Sequence, residues 1–424
     1  MVIASIDIQG GNVVQLKQGS QLMLQRDDAP QLAGEFDRYG EVAVIDLDAA
    51  MGNGNNSGMI KQLLRRAECR VGGGIKSAEQ AKELVSLGAR KIIVGSMAFR
   101  DTGGEKFAVN GAFLETMADA IGRERLIVAV DAKAGEIVVD GWKTRTGLPL
   151  AKSAASAAAY AGELLFTCVD REGTMTGIDL EAVTSLRDAC GGTCAITAAG
   201  GVSTLEETAA LAALGCDVQL GMALYTGKIL LKDAFIESLD WKKCNGMIPV
   251  IAQSYDGQVL MSGYTDREAL AQTFARNNLC FHSRTRNKLW MKGEHSGNVL
   301  RLRRLRADCD RDTLLAVVDP AGPACHTGAW SCFGTNRRYT WEQLQEIIEE
   351  RFRNPAPGSY TATLDDQLVR EKILEEAKEI CTAKTHDELV WEAADLLYFI
   401  TVLLERDGVK TEEVLDELDR RHKK

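Results

Sequence analysis

The feature that most constrains the fold is an internal repeat within the first 243 residues. The stretch VGGGIKSAEQAKELVSLGARKIIVGSMAF at 71–99 returns as AAGGVSTLEETAALAALGCDVQLGMALY at 198–225. The stretch IASIDIQGGNVV at 3–14 returns as IVAVDAKAGEIVV at 127–139. Because the offsets are all about 122 to 127 residues, this part of the chain is one structural unit that occurs twice.

Each copy of the unit alternates short Val/Ile/Leu-rich runs with longer helical patterns, such as 77–87 and 204–214. Short apolar runs without strict alternation are typical of strands buried on both faces, which indicates a parallel sheet. About eight such βα units in roughly 240 residues is the size of a (β/α)8 barrel. We therefore predict a TIM barrel over residues 1–243.

Two aspartates mark the expected barrel mouth. Asp7 ends the first strand and Asp131 the fifth, so the repeat places them on opposite sides, where they can serve as base and acid. Glycine-rich turns at other strand ends offer backbone N–H groups to phosphate. These turns contain Gly73, Gly74, Gly95, Ser96, Gly200, Gly201 and Gly221. Since the turns form two sets half a barrel apart, they favour a ligand with a phosphate at each end.

A second group of reactive residues lies in DCDRD at 308–312 and CHTGAWSC at 325–332. Its thiols are those of Cys309, Cys325 and Cys332. Thiolates select zinc among the common metals, and three thiols without a CxxC pair leave a fourth position for water. Zinc would lower the pKa of that water towards neutrality. His326, beside a thiol, is positioned to act as a base or to orient one.

The acids of the same group are Asp308, Asp310 and Asp312. In an extended segment they would share one face, with the thiol of Cys309 on the other. Carboxylates suit a hard cation such as Mg²⁺. The sequence therefore predicts a zinc ion and a magnesium ion close together in a small β-rich domain.

From residue 341 the sequence is mostly helical, and its carboxylates follow helical spacing. They are Glu375, Glu376 and Glu379 on one helix and Glu392 and Asp395 on the next. The second pair lies in a nearly continuous apolar run, where charges are costly unless they are paired or bind metal. This pattern predicts a magnesium cluster that could hold pyrophosphate.

The barrel motifs SIDIQGG, VIDLDAA, VGGGIKS, VDGWKTRTG and GMALYTGK resemble the barrel isomerase of histidine biosynthesis. That enzyme acts on phosphoribosylformimino-aminoimidazole carboxamide ribotide. The resemblance implies an Amadori rearrangement with Asp7 as base and Asp131 as acid. Trp142 and Thr167 would line the site.

The chain also departs from that family's pattern. Gln15 and Met222 stand where the family usually has arginine, and Glu172 stands where it has aspartate. An alternative is therefore a degenerate, non-catalytic barrel that serves as a scaffold or regulatory module.

The motifs SRTRNKLWMKGEHSGN, DCDRD and ACHTGAWSCF resemble phosphoribosyl-AMP cyclohydrolase, and we assign residues 244–335 to that domain. The resemblance implies that zinc-bound hydroxide opens the adenine ring. It also implies a zinc site at a dimer interface, with Cys309 from one subunit and Cys325 and Cys332 from the other. The nucleotide would be surrounded by Arg284, Arg286, Lys292 and Glu294.

The motifs NPAPGSYTATL, EEAKE and WEAADLLYF resemble phosphoribosyl-ATP pyrophosphohydrolase, an all-α enzyme, over residues 341–424. The three implied reactions are consecutive: loss of pyrophosphate, ring opening and isomerisation. We therefore expect a cytoplasmic, multifunctional enzyme of histidine biosynthesis that uses Zn²⁺ and Mg²⁺. Its partners would be phosphoribosyl nucleotides and a second copy of the chain, joined through the cyclohydrolase and helical domains.

Charge and hydropathy argue against other classes. The formal net charge of −10 disfavours broad binding to nucleic acid or anionic membrane. No apolar stretch reaches the ~18 residues of a membrane span. A rival, a zinc-ribbon nucleic-acid binder with a helical tail, is disfavoured by the missing CxxC pairs and the negative charge.

Overall fold

The computed structural model describes residues 1–100, 107–334, 336–337 and 339–422. Its contacts divide the chain into two compact units. The first comprises residues 1–255 and 259–333, and the second comprises residues 256–258 and the chain from Gly334 onwards. The predicted domain ends at residues 335 and 424 lie outside the described residues.

Eight parallel strands close into a barrel, which confirms the predicted fold class. They are Val2–Gln9, Val42–Asp46, Cys69–Gly72, Lys91–Val94, Leu126–Lys133, Glu163–Cys168, Ala195–Ala199 and Asp217–Leu220. The strands pair in chain order, and the last pairs with the first through Val2 opposite Val218. Their near-continuous burial explains why the strands appear in the sequence as uninterrupted apolar runs.

The duplication is visible in the structure as two antiparallel hairpins, each extending from a strand that carries a candidate catalytic aspartate. The first hairpin comprises Asn12–Lys17 and Gln21–Arg26, and the second comprises Glu136–Val139 and Thr144–Pro149. The barrel helices are Ala29–Asp37, Leu47–Met51, Ser57–Leu63, Ala78–Ser86, Gly111–Ile121, Leu150–Ala157, Leu180–Cys190, Leu205–Ala213, Met222–Tyr225 and Leu231–Glu237. Short 3-10 turns cover Ser96–Phe99, Arg123–Arg125 and Val169–Arg171.

The barrel buries two separate layers of apolar side chains. The larger layer lies between the strands and the surrounding helices. The smaller layer fills the barrel interior with Ile93, Ile127, Leu165 and Ala199. These four come from four neighbouring strands, the fourth to the seventh, and pack against one another inside the barrel.

The middle segment forms a four-stranded sheet and a separate hairpin. The sheet order is Val259–Thr265, Ile248–Ser254, Leu314–Pro320 and Leu300–Ala307. The hairpin pairs Cys280–Ser283 with Lys288–Met291, and the helix Arg267–Arg276 precedes it.

This sheet shares its hydrophobic core with the end of the barrel. Phe235 and Trp241, which follow the last barrel strand, are buried in one cluster with Phe274 of the middle segment. The ring of Tyr39, from the barrel side, lies 4.9 Å from that of Phe274. The barrel and the middle segment therefore pack as parts of a single unit.

Ion pairs reinforce the same junction. Arg306 of the sheet lies 3.0 Å from the Asp37 carboxylate and 3.2 Å from that of Glu68, both in the barrel. Arg304 pairs with the same two acids at 3.2 and 3.3 Å. Burial of Asp37 and partial burial of Arg306 reduce solvent screening of this network.

The second unit is helical, as predicted. Its helices are Trp341–Arg353, Tyr360–Thr363, Asp366–Thr382, His386–Arg406 and Thr411–His422. Ile348, Val369, Phe399 and Val402 form its small core. Within the described part of the chain, no helix combines the length and apolar character that a membrane span requires.

Candidate functional sites

A cavity of about 650 Å³ opens at the carboxyl ends of the barrel strands. All the barrel residues that the sequence proposed line it: Asp7, Gly73, Gly74, Gly95, Ser96, Asp131, Trp142, Thr167, Gly200, Gly201 and Gly221. The repeat brings these residues together because strand ends from both halves meet at one mouth.

Asp131 is held in this cavity by two hydrogen-bond donors. The indole Nε1 of Trp142 donates to its Oδ2 at 2.9 Å. Thr167, opposite Asp131 on the neighbouring strand, also bonds to the carboxylate. Burial raises the pKa of Asp131, and the two hydrogen bonds oppose that rise.

Asp7 lies in a less polar environment. Ser5 donates a hydrogen bond of 2.8 Å to its Oδ1, and the Ser5 carbonyl accepts one from the Tyr225 hydroxyl at 2.9 Å. Burial raises the pKa of Asp7 to about 6, with the Ser5 bond opposing the rise. A carboxylate with this pKa is ionised at neutral pH yet remains basic enough to accept a proton.

Glu172 is a third carboxyl group in the cavity, and the sequence had identified it only as a departure from a family pattern. Burial, followed by the charges of Asp7 and Asp131, raises its pKa to about 8. It therefore holds a proton at neutral pH and can donate a hydrogen bond. Its place just after the sixth barrel strand was the signal that could have identified it.

The glycine turns of the two halves have matching constraints. A Cβ at Gly73 would lie 2.2 Å from the Asp46 carbonyl oxygen, and one at Gly200 would lie 2.6 Å from that of Cys168. Both residues also have positive φ, at +103° and +93°. Only glycine satisfies both conditions, so these turns bring the backbone itself to the wall of the cavity.

The positive charge around the cavity is uneven. Gln15 and Met222 are both buried at the Gly221 turn, where they leave neutral groups. The basic side chains that line the described part of the cavity are Lys76, Arg100 and Lys143. Lys76 thus follows the turn of Gly73 and Gly74 in sequence, whereas the Gly221 turn has the neutral side chain of Gln15 beside it.

The three aspartates of DCDRD, which we call the acid triplet, lie close together, but in a turn rather than in an extended segment. Carboxylate oxygens of Asp308, Asp310 and Asp312 all lie within 4.8 Å of one another. The expectation of an extended segment is wrong, because residues 308–313 form a turn between two strands. The Asp308 carboxylate accepts the backbone N–H groups of Asp312 and Thr313 at 3.0 and 3.1 Å, which closes that turn.

Two of the three thiols are neighbours. Cys325 and Cys332 lie within hydrogen-bond reach, and the Thr327 hydroxyl donates to the Cys325 sulfur at 3.1 Å. That donation lowers the pKa of Cys325, whereas burial raises that of Cys332. Among the described residues of one chain, Cys309 does not join these two thiols within 4.8 Å. His326 Nδ1 lies 3.9 Å from the Cys325 sulfur.

The proposed nucleotide-binding residues lie around the 280–291 hairpin. Arg284 stacks over the ring of Tyr264 with its Cζ 3.8 Å from the ring centroid. Arg286 is exposed on the same turn. Lys292 lies close enough to Cys325 and Cys332 for their charges to act on it, although burial lowers its pKa.

Two further residues complete this region. Glu294 accepts the Met291 backbone N–H at 3.3 Å, just after the hairpin. His282 lies on the first strand of the hairpin, and its Nδ1 lies 2.6 Å from the Asp266 carboxylate. Its Nε2 lies 3.1 Å from the Asn287 side chain, so this histidine joins the hairpin to the start of the preceding helix.

In the helical unit, oxygens of Glu376, Glu379 and Glu392 lie within 4.8 Å of one another. Asp395 lines a cavity of about 770 Å³ with Glu376, whose pKa is raised first by burial and then by Glu379 and Asp395. Glu375 differs from the others because it is half exposed and pairs with Lys372 at 2.6 Å.

Three segments of the chain match known protein families. The sequence model of the family described as histidine biosynthesis protein matches residues 1–230, more than half of the chain. The chain belongs to the histidine biosynthesis protein family. Two further models match in order, phosphoribosyl-AMP cyclohydrolase over residues 261–334 and phosphoribosyl-ATP pyrophosphohydrolase over residues 341–422. It is thus a histidine biosynthesis protein with cyclohydrolase and pyrophosphohydrolase domains.

Relatives of the chain include proteins named histidine biosynthesis bifunctional protein HisIE. That of Pyrococcus furiosus is 40% identical over 206 residues, which is 45% of this chain and 99% of the relative. That of Xanthomonas campestris is 44% identical over 195 residues, which is 44% of this chain and 95% of the relative. These relatives are therefore matched almost entirely by less than half of this chain.

Proposed function

We propose that the chain catalyses three consecutive reactions on phosphoribosyl nucleotides. The helical domain would release pyrophosphate from phosphoribosyl-ATP, and the middle domain would open the adenine ring of phosphoribosyl-AMP. The barrel would isomerise the product. The proposal is carried by one observation: each family-matched segment contains its own cluster of ionisable side chains.

For the pyrophosphohydrolase step, the residues that fit Mg²⁺ are Glu376, Glu379 and Glu392. Three like charges this close repel one another, and burial, followed by the charges of Glu379 and Asp395, raises the pKa of Glu376. A divalent cation would remove the repulsion and attract the anionic pyrophosphate. Asp395 faces the same cavity, where it could complete the ligand set.

For the cyclohydrolase step, Cys325 and Cys332 fit zinc because they are adjacent and Cys325 ionises more readily than an ordinary thiol. When bound, zinc would supply an activated water for attack on the adenine ring. His326 is placed to accept or orient a proton beside Cys325. Lys292 and Arg284 would hold the anionic nucleotide, and the acid triplet would hold Mg²⁺.

A homodimer would complete the zinc site. Cys309 is exposed and does not reach the other two thiols within one chain, so a second copy must supply it if all three bind one ion. The helical unit also exposes an apolar stretch, with Leu389 at 47%, Val390 at 57% and Trp391 at 70%. Apolar surface of this kind favours association.

For the isomerase step, Asp7 would act as base and Asp131 as acid across the barrel mouth. The base role agrees with a pKa of about 6, and the acid role agrees with the raised pKa of Asp131. Protonated Glu172 would donate a hydrogen bond to developing negative charge.

The neutral groups at Gln15 and Met222 favour a second candidate for the barrel, a non-catalytic scaffold. Each removes a cation from a site where phosphate would bind. Losing one charge-assisted contact costs on the order of 1.5–3 kcal/mol, roughly ten- to over a hundredfold in affinity. We therefore expect isomerase activity with weak substrate affinity.

The ring-opening proposal is tested with Cys325→Ser and the wild type. We expect about one zinc per chain in the wild type and loss of zinc and of ring opening in the variant, with pyrophosphate release retained. Matched measurements of zinc content and both activities decide the outcome. Full ring opening by zinc-free protein would exclude the proposed mechanism.

A further inference from the structure

Arg311 lies within the acid triplet, yet its side chain turns away from the three carboxylates. Its Nη1 donates to the Ala212 carbonyl oxygen at 2.9 Å. Its Nη2 donates to the Cys216 carbonyl oxygen at 2.9 Å and to Asp217 Oδ1 at 3.0 Å. The Arg311 side chain is only 11% exposed. All three acceptors belong to the barrel.

These acceptors lie at the barrel floor, the end opposite the mouth. Asp217 is the first residue of the last barrel strand, and Ala212 and Cys216 precede it. Asp217 also pairs with the α-ammonium group of Met1, at the start of the first strand. The contacts that anchor the Arg311 side chain are therefore separate from the cavity that contains Asp7 and Asp131.

The chain just after the barrel holds the same turn from a second side. The Asp240 N–H donates to the Arg311 carbonyl oxygen at 2.9 Å, and the Cys244 thiol donates to that of Asp312 at 3.3 Å. The Lys243 ammonium pairs with the carboxylates of Asp310 and Asp312. Residues 240–244, which follow the last barrel helix, thus contact the turn through both its backbone and its side chains.

The backbone of the turn requires such support. Arg311 has φ of +63°, a conformation that is unfavourable for residues with a Cβ. The carboxylates of Asp308, Asp310 and Asp312 also repel one another at this separation. A guanidinium group that donates to three fixed acceptors can hold a turn against both effects, because its planar geometry limits the orientations available.

We propose that Arg311 is a positioning residue through which the barrel floor holds the acid triplet in its cation-binding geometry. Ring opening by the middle domain would then depend on the barrel floor, whether or not the barrel itself catalyses a reaction. This inference rests on the proposed role of the triplet in holding Mg²⁺.

The test compares the full-length wild type with Arg311→Gly, Arg311→Lys and Arg38→Ala. Glycine accepts the positive φ at residue 311 but removes the anchor. Lysine keeps the charge but cannot reproduce the three-acceptor fork. Arg38→Ala is the matched control, because Arg38 crosses the same junction to Asn277 at 2.7 Å without contacting the triplet.

Two readouts are measured, the Mg²⁺ concentration for half-maximal ring opening and amide hydrogen exchange across residues 308–313 without metal or substrate. In Arg311→Gly we expect the Mg²⁺ requirement to rise roughly tenfold or more, because all three guanidinium hydrogen bonds are lost and one charged hydrogen bond alone contributes roughly that factor. Exchange across the turn would accelerate, and pyrophosphate release would be unchanged. Arg311→Lys would fall between Arg311→Gly and the wild type, and Arg38→Ala would match the wild type.

Asp310→Asn distinguishes a failure of the triplet's role in binding Mg²⁺ from a failure of the positioning role of Arg311. If Asp310→Asn opens the ring like the wild type, the role of the triplet itself is wrong. If Asp310→Asn is impaired while both Arg311 variants match the wild type in Mg²⁺ requirement and exchange, the positioning role is wrong. Equal effects of Arg38→Ala and Arg311→Gly would also overturn it, since they would indicate general loosening of the junction.

Discussion

Trp142 joins the two halves of the duplicated barrel at its mouth. Its indole N–H donates to Asp131 at 2.9 Å, and its ring lies so close to Gly19 of the opposite hairpin that a Cβ there would be 2.7 Å from it. Trp142 also has φ of +67°, in the left-handed region of the backbone, and its side chain lines the cavity. One residue thus orients the candidate acid and covers the site.

Replacing Trp142 by phenylalanine removes the donor but keeps an aromatic ring. A hydrogen bond to a charged group contributes about 1.5–3 kcal/mol. We expect isomerase turnover to fall roughly ten- to a hundredfold with a smaller change in KM. The measurement is steady-state formation of the aminoketose from the ring-opened intermediate. An unchanged turnover would show that this bond does not orient a catalytic group.

The pH dependence of the barrel reaction follows from Asp7. As the base, Asp7 must be ionised, and its pKa of about 6 lies above the usual aspartate range. We therefore expect kcat/KM for isomerisation to rise with pH, to be half-maximal near pH 6 and to level off about one pH unit higher. Asp7→Asn would be inactive throughout. A profile that is flat between pH 4.5 and 7.5 would contradict the assignment of Asp7 as base.

The buried carboxyl group of Glu172 makes the stability of the folded protein depend on pH. Burial raises its pKa to about 8 in the folded protein, so the folded state binds this proton more tightly than the unfolded chain. Its contribution is fully present below the ordinary glutamate pKa of 4.5 and is lost as the pH rises from there through about 8. Glu172→Gln removes this dependence. We expect the variant's Tm to exceed that of the wild type at pH 9 and to equal it near pH 5. A constant Tm difference at both pH values would argue against a buried, protonated Glu172.

The helical carboxylates provide a matched pair of variants. Glu376 is buried within the three-carboxylate cluster, whereas Glu375 is half exposed and pairs with Lys372. Glu376→Gln would stop pyrophosphate release from phosphoribosyl-ATP, while ring opening of supplied phosphoribosyl-AMP continues. Glu375→Gln would retain both activities. If both variants lost pyrophosphate release to the same extent, Glu375 would have to be counted among the metal ligands.

The repeat made the barrel predictable from sequence because a duplicated βα pattern leaves few alternatives for closing a parallel sheet. The repeat also made it possible to predict which residues line the barrel mouth, since Asp7 and Asp131 occupy equivalent positions in the two copies. The apolar run around Glu392 was less informative. It suggested burial, but Val390 and Trp391 are exposed in the single chain. Periodicity reports which face of a helix is apolar, not whether this chain or a second copy covers it.

Other features depend on contacts that no local pattern records. The acid triplet was predicted as a set, but its turn is set by hydrogen bonds to Asp308 and by the positive φ of Arg311. Arg311 reaches Asp217, which is 94 residues away in sequence. The link between His282 and Asp266 likewise arises only when the hairpin packs against the start of a helix.

The most direct test of three consecutive reactions is to supply the purified full-length chain with phosphoribosyl-ATP, Zn²⁺ and Mg²⁺ and to follow the products by mass spectrometry. We predict successive appearance of phosphoribosyl-AMP with pyrophosphate, the ring-opened aminoaldose and then its aminoketose isomer, which has the same mass and is resolved by chromatography. With Asp131→Asn the series would stop at the aminoaldose. Persistence of phosphoribosyl-ATP, or arrest of the wild type at the aminoaldose with millimolar substrate, would contradict the three-reaction account, and the second result would leave the barrel as a scaffold.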